Sequence, residues 1–427
     1  MSSAKLKLLY ICLFLIFTQG LWERALPLPF FSYLIDFMVI LFIFAKFRFK
    51  KAPGFSLFFV FIGVSIFVGT VNGSNIADDF LYTRYVIYFY LIFSQVWYLE
   101  MNWLQWRKLF KFIVFLVLIQ GLGSIYTLIV IGDRIEGYVG LMSSLGGTTA
   151  TIFPLFISSI IIILYLFMNR TNKLTILIML SCLASVLLIG YASGKRTFYF
   201  IIPLFLVISL IISTRSLIRT SFYKKKLLGI ALISLLIFPL LIFGISNSKG
   251  FSYSLSGNES SFGVISSALE YAQTYESSTD QYNQTIGRSN TTEKIVEGSL
   301  GDPEIFFLGK GYSSSKDENT MFQLGYGYGI VGFTRDLVSG GWFLVVVTFF
   351  LISKMILTNR SARSNFGTAM RKMLFLVFIY THFFYSADYT VHLKITFLLA
   401  IISAFMNSPF HAKSFEALHI SLNLKKQ

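Results

Sequence analysis

Apolar and polar positions in this chain come in blocks rather than in residue-by-residue alternation. Stretches of about 20 apolar residues, the length an α-helix needs to cross a hydrocarbon core, recur along most of the sequence. They predict twelve helical spans, near 6–22, 28–46, 55–71, 80–98, 109–132, 148–168, 173–191, 197–213, 226–246, 336–357, 371–386 and 391–406. Residues 247–335 break the rhythm: they are rich in Ser, Gly, Asn, Thr and acids and read as one large polar loop carrying short helices. The expected organisation is an all-α polytopic membrane protein. Transmembrane helices 1–9 fill residues 1–246, the loop takes 247–335, helices 10–12 fill 336–406, and 407–427 form a tail. No internal repeat and no low-complexity tail is visible.

Composition supports the same class. Of 427 residues, 55% are hydrophobic, 13% are charged and 47 are Phe, and the mean hydropathy is +0.70. A soluble domain of this size could not bury so much apolar surface. The start, "MSSAKLKLLYICLFLIF", has the basic end and apolar run of a signal peptide, but "TQGLWER" follows without a small-residue cleavage pattern, so a retained first span is expected. Cys12 and Cys182 both fall inside apolar runs, which suits neither a disulfide framework nor a zinc motif.

The net charge of +16 sorts by connection. Two thirds of the 36 Lys and Arg fall in alternate segments: Lys5 and Lys7, then 46–51, 107–111, 170–173, 215–226, 354–372 and the C-terminal tail. Of 20 Asp and Glu, only Glu100 and Glu416 fall in the same set of connections as those cations. Cations concentrate on the cytoplasmic side of a membrane, so both termini are expected there and 247–335 on the outer side. A cation excess of this topological kind does not point to nucleic acid.

Against that bias, several cations fall on the outer side. "GYASGKRTFYF" (190–200) puts Lys195 and Arg196 between two apolar runs. Arg84 lies about one turn inside the fourth span, where an arginine needs a partner or a ligand, and Asp78 and Asp79 are near in sequence. Arg134 sits in "GDRIEGYVGLMSSLGG", flanked by Asp133 and Glu136, which offer a local ion pair. The Gly-rich remainder of that segment suggests close backbone approach or a loop that re-enters the membrane.

Within the large loop, Asn290 followed by Glu293 has capping-box spacing. It predicts a short helix from Thr291 to about Ser299, ended near Gly301, with Arg288 just before its N-terminus. A cation beside exposed backbone N–H groups makes an anion site in principle. Lys310 and Lys316 precede Asp317, Glu318 and Asn319, residues that an exposed turn explains equally well. Arg335 and Asp336 open the next span, with an interfacial anchor as the plain alternative. Near the last outer connection stand His382, Asp388, His392 and Lys394. Asp388 and His392 have i,i+4 spacing, which suits an oriented general base or a hydrogen-bonded polar pair. There is no Walker motif, no His/Cys cluster with metal-ligand spacing, no G-x-S-x-G and no D-x-D. Neither ATP coupling nor a D-x-D metal glycosyltransferase is expected.

This layout resembles bacterial O-antigen polymerases of the Wzy type and the related O-antigen ligases, and four segments carry the resemblance. "SGKRTFYFIIPL" is similar to the family's small-residue–Ser–Arg turn, with Arg196 on its arginine. "GRSNTTEKIVEGSLGDPEIFFLGKGY" resembles the Arg–helix–G-x-G segment, with Arg288 on the arginine and Gly309 and Gly311 on the glycines. "DENTMFQLGYGYGIVGF" resembles the approach to the next span, with Asn319 on its Asn. "DRIEGYVG" resembles the Arg-x-x-Gly segment before the sixth span, with Arg134 on its arginine. The ligases carry a His before that Asn, and here the position is Glu318, which favours the polymerase.

The resemblance implies a metal-independent glycosyltransferase with no cofactor, multi-pass in the bacterial inner membrane. It would transfer a glycan from undecaprenyl diphosphate to a hydroxyl of another lipid-linked repeat unit on the periplasmic face. Arg196, Arg288 and Arg134 would contact diphosphate or sugar, supported by Lys195, Arg84 and Arg335, with Asn319 and Lys310 completing the substrate-binding set. Glu318 would be the base, with Asp388 or His392 as alternatives. The implied partners are undecaprenyl-diphosphate-linked oligosaccharides, the lipid bilayer and a chain-length regulator protein. The alternatives are an O-antigen ligase, which uses the same chemistry on another acceptor, and a lipid-linked oligosaccharide flippase.

Overall fold

The computed structural model describes residues 3–25, 31–45, 47, 52–130, 140–142, 149–167, 173–193, 288–312, 330–358, 365–385 and 393–407, and positions 201, 202, 204, 205, 207–209, 211 and 212. The described residues form helices and short connections, with no strand among them. The helices are α1 (Ser3–Phe17), α2 (Gln19–Ala25), α3 (Phe31–Phe44), α4 (Phe55–Val71), α5 (Ile76–Tyr98), α6 (Trp103–Val130), α7 (Thr149–Phe167) and α8 (Lys173–Ser193). Further along the chain come α9 (Arg288–Gly301), α10 (Pro303–Leu308), α11 (Gly332–Leu357), α12 (Asn365–Phe384) and α13 (Leu393–Met406).

Local chemistry explains several ends. Asn75 caps α5 by accepting from the Ala77 N–H at 3.1 Å, and Asp302 caps α10 by accepting from Glu304 N at 2.9 Å, with Pro303 at the first helical position. Thr334 accepts from the Val331 N–H at 3.1 Å and closes the start of α11. The predicted first span, 6–22, is divided between α1 and α2 at Thr18, whose hydroxyl bonds the Phe14 carbonyl at 2.6 Å.

Among the described residues, three helical stretches are long and apolar enough to cross a bilayer: Leu104–Val130, Ile176–Ser193 and Gly332–Leu357. Four further apolar helices, Tyr33–Phe44, Phe55–Val71, Ile152–Ile161 and Leu393–Met406, are shorter. Helix α13 is apolar all round and buried at every position from Ile395 to Met406. It lies against α5 in the middle of the bundle. The periphery is also apolar: Phe37, Phe59, Ile66, Phe67, Leu122 and Ile129 are all well exposed. An apolar exterior around a packed apolar interior is the surface of a helical membrane protein.

The helix ends sort to two opposite ends of the bundle. At one, Lys5 Nζ donates to Gln95 Oε1 at 2.5 Å and to the Ile43 carbonyl at 3.5 Å, joining α1, α3 and α5. There too, Arg371 donates to the Met406 carbonyl at 2.9 Å, and Asn407 to the Met355 carbonyl at 2.9 Å. Trp97 Nε1 donates to the Asn407 carbonyl at 3.2 Å. The other end holds the starts of α5, α11 and α13 and the ends of α4 and α12.

Helix α11 is not continuous. Gly340 and Gly341 leave helical geometry, Gly341 with φ +62°, and break it into two halves. The break leaves the Val338 and Ser339 carbonyls without helical donors. The Lys310 N–H reaches Val338 at 2.6 Å and the Gly311 N–H reaches Ser339 at 3.1 Å. Gly309, at φ +64°, makes this approach possible: a Cβ there would lie 2.6 Å from Gly340 N and from Val338 O.

Candidate functional site

Toward the end of the bundle away from Lys5, polar side chains gather in three places. In the first, Asp336 projects inward from the first half of α11 and is 2% exposed. Its Oδ1 accepts from the Tyr82 hydroxyl of α5 at 2.9 Å, and its Oδ2 lies 3.9 Å from Nε2 of the fully buried His382, near the end of α12. The Arg335 guanidinium lies 5.5 Å from the Tyr82 ring centre, and that ring packs at 4.9 Å on Tyr312. Tyr312 follows the docked 309–311 segment and donates to the Ser65 carbonyl of α4 at 3.4 Å. Burial pushes the Tyr312 hydroxyl well above the usual tyrosine range, so it acts as a neutral donor. Four helices and the segment ending at Tyr312 therefore meet around one buried acid.

In the second place, Arg84 of α5 lies 3.5 Å from Asp36 of α3, donates to the Tyr85 hydroxyl at 2.7 Å and sits 4.6 Å over the Tyr85 ring. This corrects the expectation that Asp78 and Asp79 supply its partner. Those acids precede Arg84 by six and five residues, off its helical face. Asp79 instead packs on α4, where its carboxylate occupies the space over Gly69. Asp36 was detectable in sequence as a lone acid within an apolar run, a position that demands a partner.

In the third place, the segment Gly140–Met142 is held inside the bundle. Gln120, fully buried, donates to the Phe17 carbonyl at 2.8 Å and accepts from Leu141 N at 2.8 Å. Lys394, near the start of α13, donates from Nζ to the Met142 carbonyl at 2.5 Å. Gln120 lies ten residues before the end of α6, a descent of roughly 15 Å at 1.5 Å per residue. The backbone at 140–142 therefore dips well below the helix end, as a re-entering segment would.

Of the predicted site residues, Arg84, Arg335 and Lys310 fall in these surroundings. Lys310 contributes its backbone N–H to the Val338 carbonyl. Arg335, predicted as a substrate contact, and Asp336 both meet Tyr82, Arg335 over its ring and Asp336 at its hydroxyl, with Asp336 turned into the bundle. Arg288 is the first residue of α9, not a residue before it: the helix begins three residues earlier than the Asn290 spacing implied and ends at Gly301. Arg134, Lys195, Arg196, Glu318, Asn319, Asp388 and His392 lie outside the described residues. The described residues contain no group of three His, Cys, Asp or Glu placed to hold a metal.

No protein-family model, curated protein or solved structure matches the chain.

Proposed function

We propose that this chain is an oligosaccharide repeat-unit polymerase of the inner membrane, with twelve spans, both termini in the cytoplasm and 247–335 in the periplasm. The carrying observation is the seat of the outer segment. Gly309-Lys310-Gly311, which follows the helix opened by Arg288, docks on the broken helix α11 beside Arg335, Asp336 and Tyr82. Broken helices with buried polar groups are where membrane proteins place substrate sites. The descending segment at 140–142 supports the same reading, because it continues the stretch that carries Arg134.

In this reaction a hydroxyl oxygen of the acceptor attacks the anomeric carbon of the donor sugar. The bond from that carbon to the diphosphate oxygen breaks, the diphosphate leaves with the electron pair, and the hydroxyl proton passes to a carboxylate or imidazole. Arg196, Arg288 and Arg134 bind the diphosphate and stabilise its developing charge, with Lys195, Arg84 and Arg335 adding positive potential. Asn319 and Lys310 line the substrate path. Glu318 accepts the proton, with Asp388 or His392 in its place if Glu318 is dispensable.

The test is the glycan ladder of a strain lacking this gene, complemented with Arg196→Ala or Arg288→Ala. Single repeat units on the lipid core, with each variant present in the membrane at wild-type level, are the expected result. Full-length polymer from both variants overturns the site. A bare core in the deletion strain identifies a ligase. Uptake of lipid-linked sugar by liposomes containing only this protein identifies a flippase.

A further inference from the structure

Helices α4, α11 and α12 enclose a groove of about 680 Å³ at the opposite end of α11 from Asp336. Its walls are Leu57, Phe349, Phe350, Leu357 and Phe375, and its polar end is made by Ser353, Lys354 and Thr358. The volume lies within the range of about 300–1,000 Å³ typical of small-ligand sites.

Several observations identify what it holds. The groove opens on the bilayer side of α11, where Phe350 is 56% and Leu357 42% exposed, so the apolar part of an occupant arrives from the hydrocarbon. No acidic residue lines it, and Lys354 stands exposed at its mouth. On α12, Lys372 is also exposed and precedes Phe375 by three residues, placing both on one face. The two helices run antiparallel, with Phe349 packed at 6.2 Å from Phe375 and 5.8 Å from Phe378, which sets Lys372 within about a turn of the level of Lys354. The hydroxyl of Ser353, a residue 8% exposed, adds a polar group to the groove with no hydrogen-bond partner among the described residues, as is also true of the hydroxyls of Ser65, Ser339 and Ser403 elsewhere in the bundle. Thr358 bonds the Lys354 carbonyl and closes the helix end.

We infer that this groove is a binding site for an anionic phospholipid, with an acyl chain along Phe349, Phe350, Phe375 and Leu57 and the phosphate between Lys354, Lys372 and Ser353. Basic pockets between membrane helices bind anionic headgroups in this way. The inference rests only on the chain being a helical membrane protein and is independent of the polymerase reading.

The probe is dioleoyl phosphatidylglycerol against dioleoyl phosphatidylcholine, supplied to the purified protein and read by native mass spectrometry and by the thermal unfolding midpoint. Wild type should retain phosphatidylglycerol preferentially and unfold at higher temperature with it. Lys354→Gln and Lys372→Gln should each cut the preference roughly fivefold, Ser353→Ala should weaken it further, and Lys354→Arg should restore it. Equal retention of the two lipids by wild type, or an unchanged preference in the Lys354→Gln/Lys372→Gln variant, overturns the site. Gel filtration of each variant as a single symmetric species separates a lost site from a lost fold. A variant that fails this check is replaced by Lys354→Met, judged by the same two outcomes.

Discussion

The Tyr82 hydroxyl donates to Asp336 Oδ1 at 2.9 Å, tying α5 to the first half of α11 across 254 residues of sequence. The other oxygen of that carboxylate faces His382 at 3.9 Å. A buried acid held from two helices is costly to disturb, because each partner removed leaves a polar group unsatisfied where no water reaches it. Tyr82→Phe should therefore lower stability by about 1–3 kcal/mol. The combined Tyr82→Phe/Asp336→Asn variant should lose less than the sum of the two single losses. Thermal unfolding in detergent reads both, and additive losses would separate Tyr82 from Asp336.

The approach of the 309–311 segment to α11 depends on two glycines with positive φ, Gly309 and Gly341. A Cβ at Gly341 would lie 2.3 Å from the Phe307 carbonyl carbon and oxygen. Gly341→Ala and Gly309→Ala should each cost at least the roughly 1–3 kcal/mol of the backbone strain. They should also expose 288–312 to protease, whereas Gly298→Ala, with open space around its Cβ position, should not. Equal protease resistance in all three variants would mean that the segment does not need this seat.

Gln120 and Lys394 hold the 140–142 backbone from opposite sides. Met142 is fully buried, so a cysteine introduced there should resist a membrane-impermeant maleimide. Adding Gln120→Leu or Lys394→Met should make it reactive, since each removes a partner of a buried backbone group. Gly140→Ala should act alike, because its Cβ would fall 2.4 Å from the Gln120 carbonyl. Continued protection in all three would place the hold elsewhere.

Arg84 and Asp36 remain a fifth to a quarter exposed, and water weakens their attraction. Arg84→Met should cost no more than about 1 kcal/mol of stability, and Arg84→Met/Asp36→Asn no more than the single change. A larger loss, read by thermal unfolding, would show that the cation–π contact with Tyr85 carries the site.

Much of the fold was legible in the chain because apolar length is a one-dimensional property. The apolar run at 55–71 coincides with helix α4, and the runs at 148–168 and 391–406 fall within two residues of helices α7 and α13 at each end, although none of the three is among the described helices long enough to cross a bilayer. The interruption of α11 was not legible. "SGGW" marks only a weak point in a helix, and what makes the break tolerable is the 309–311 backbone arriving from another part of the sequence. The same limit applied to the polar side chains. Arg84 could be recognised as needing a partner, but the choice of Asp36 over the nearer Asp78 and Asp79 follows from how α3 lies beside α5. His382, grouped in sequence with Asp388 and His392, meets Asp336 only when α11 and α12 come together.

The amides of Lys310 and Gly311 are synthesised before the carbonyls they satisfy. During translation the segment they belong to must wait, already made, until the helix containing Val338 and Ser339 has been delivered beside it. Helix α11 is thus a keystone in biogenesis, and a chain stopped at 331 would carry the 309–311 backbone with nowhere to land.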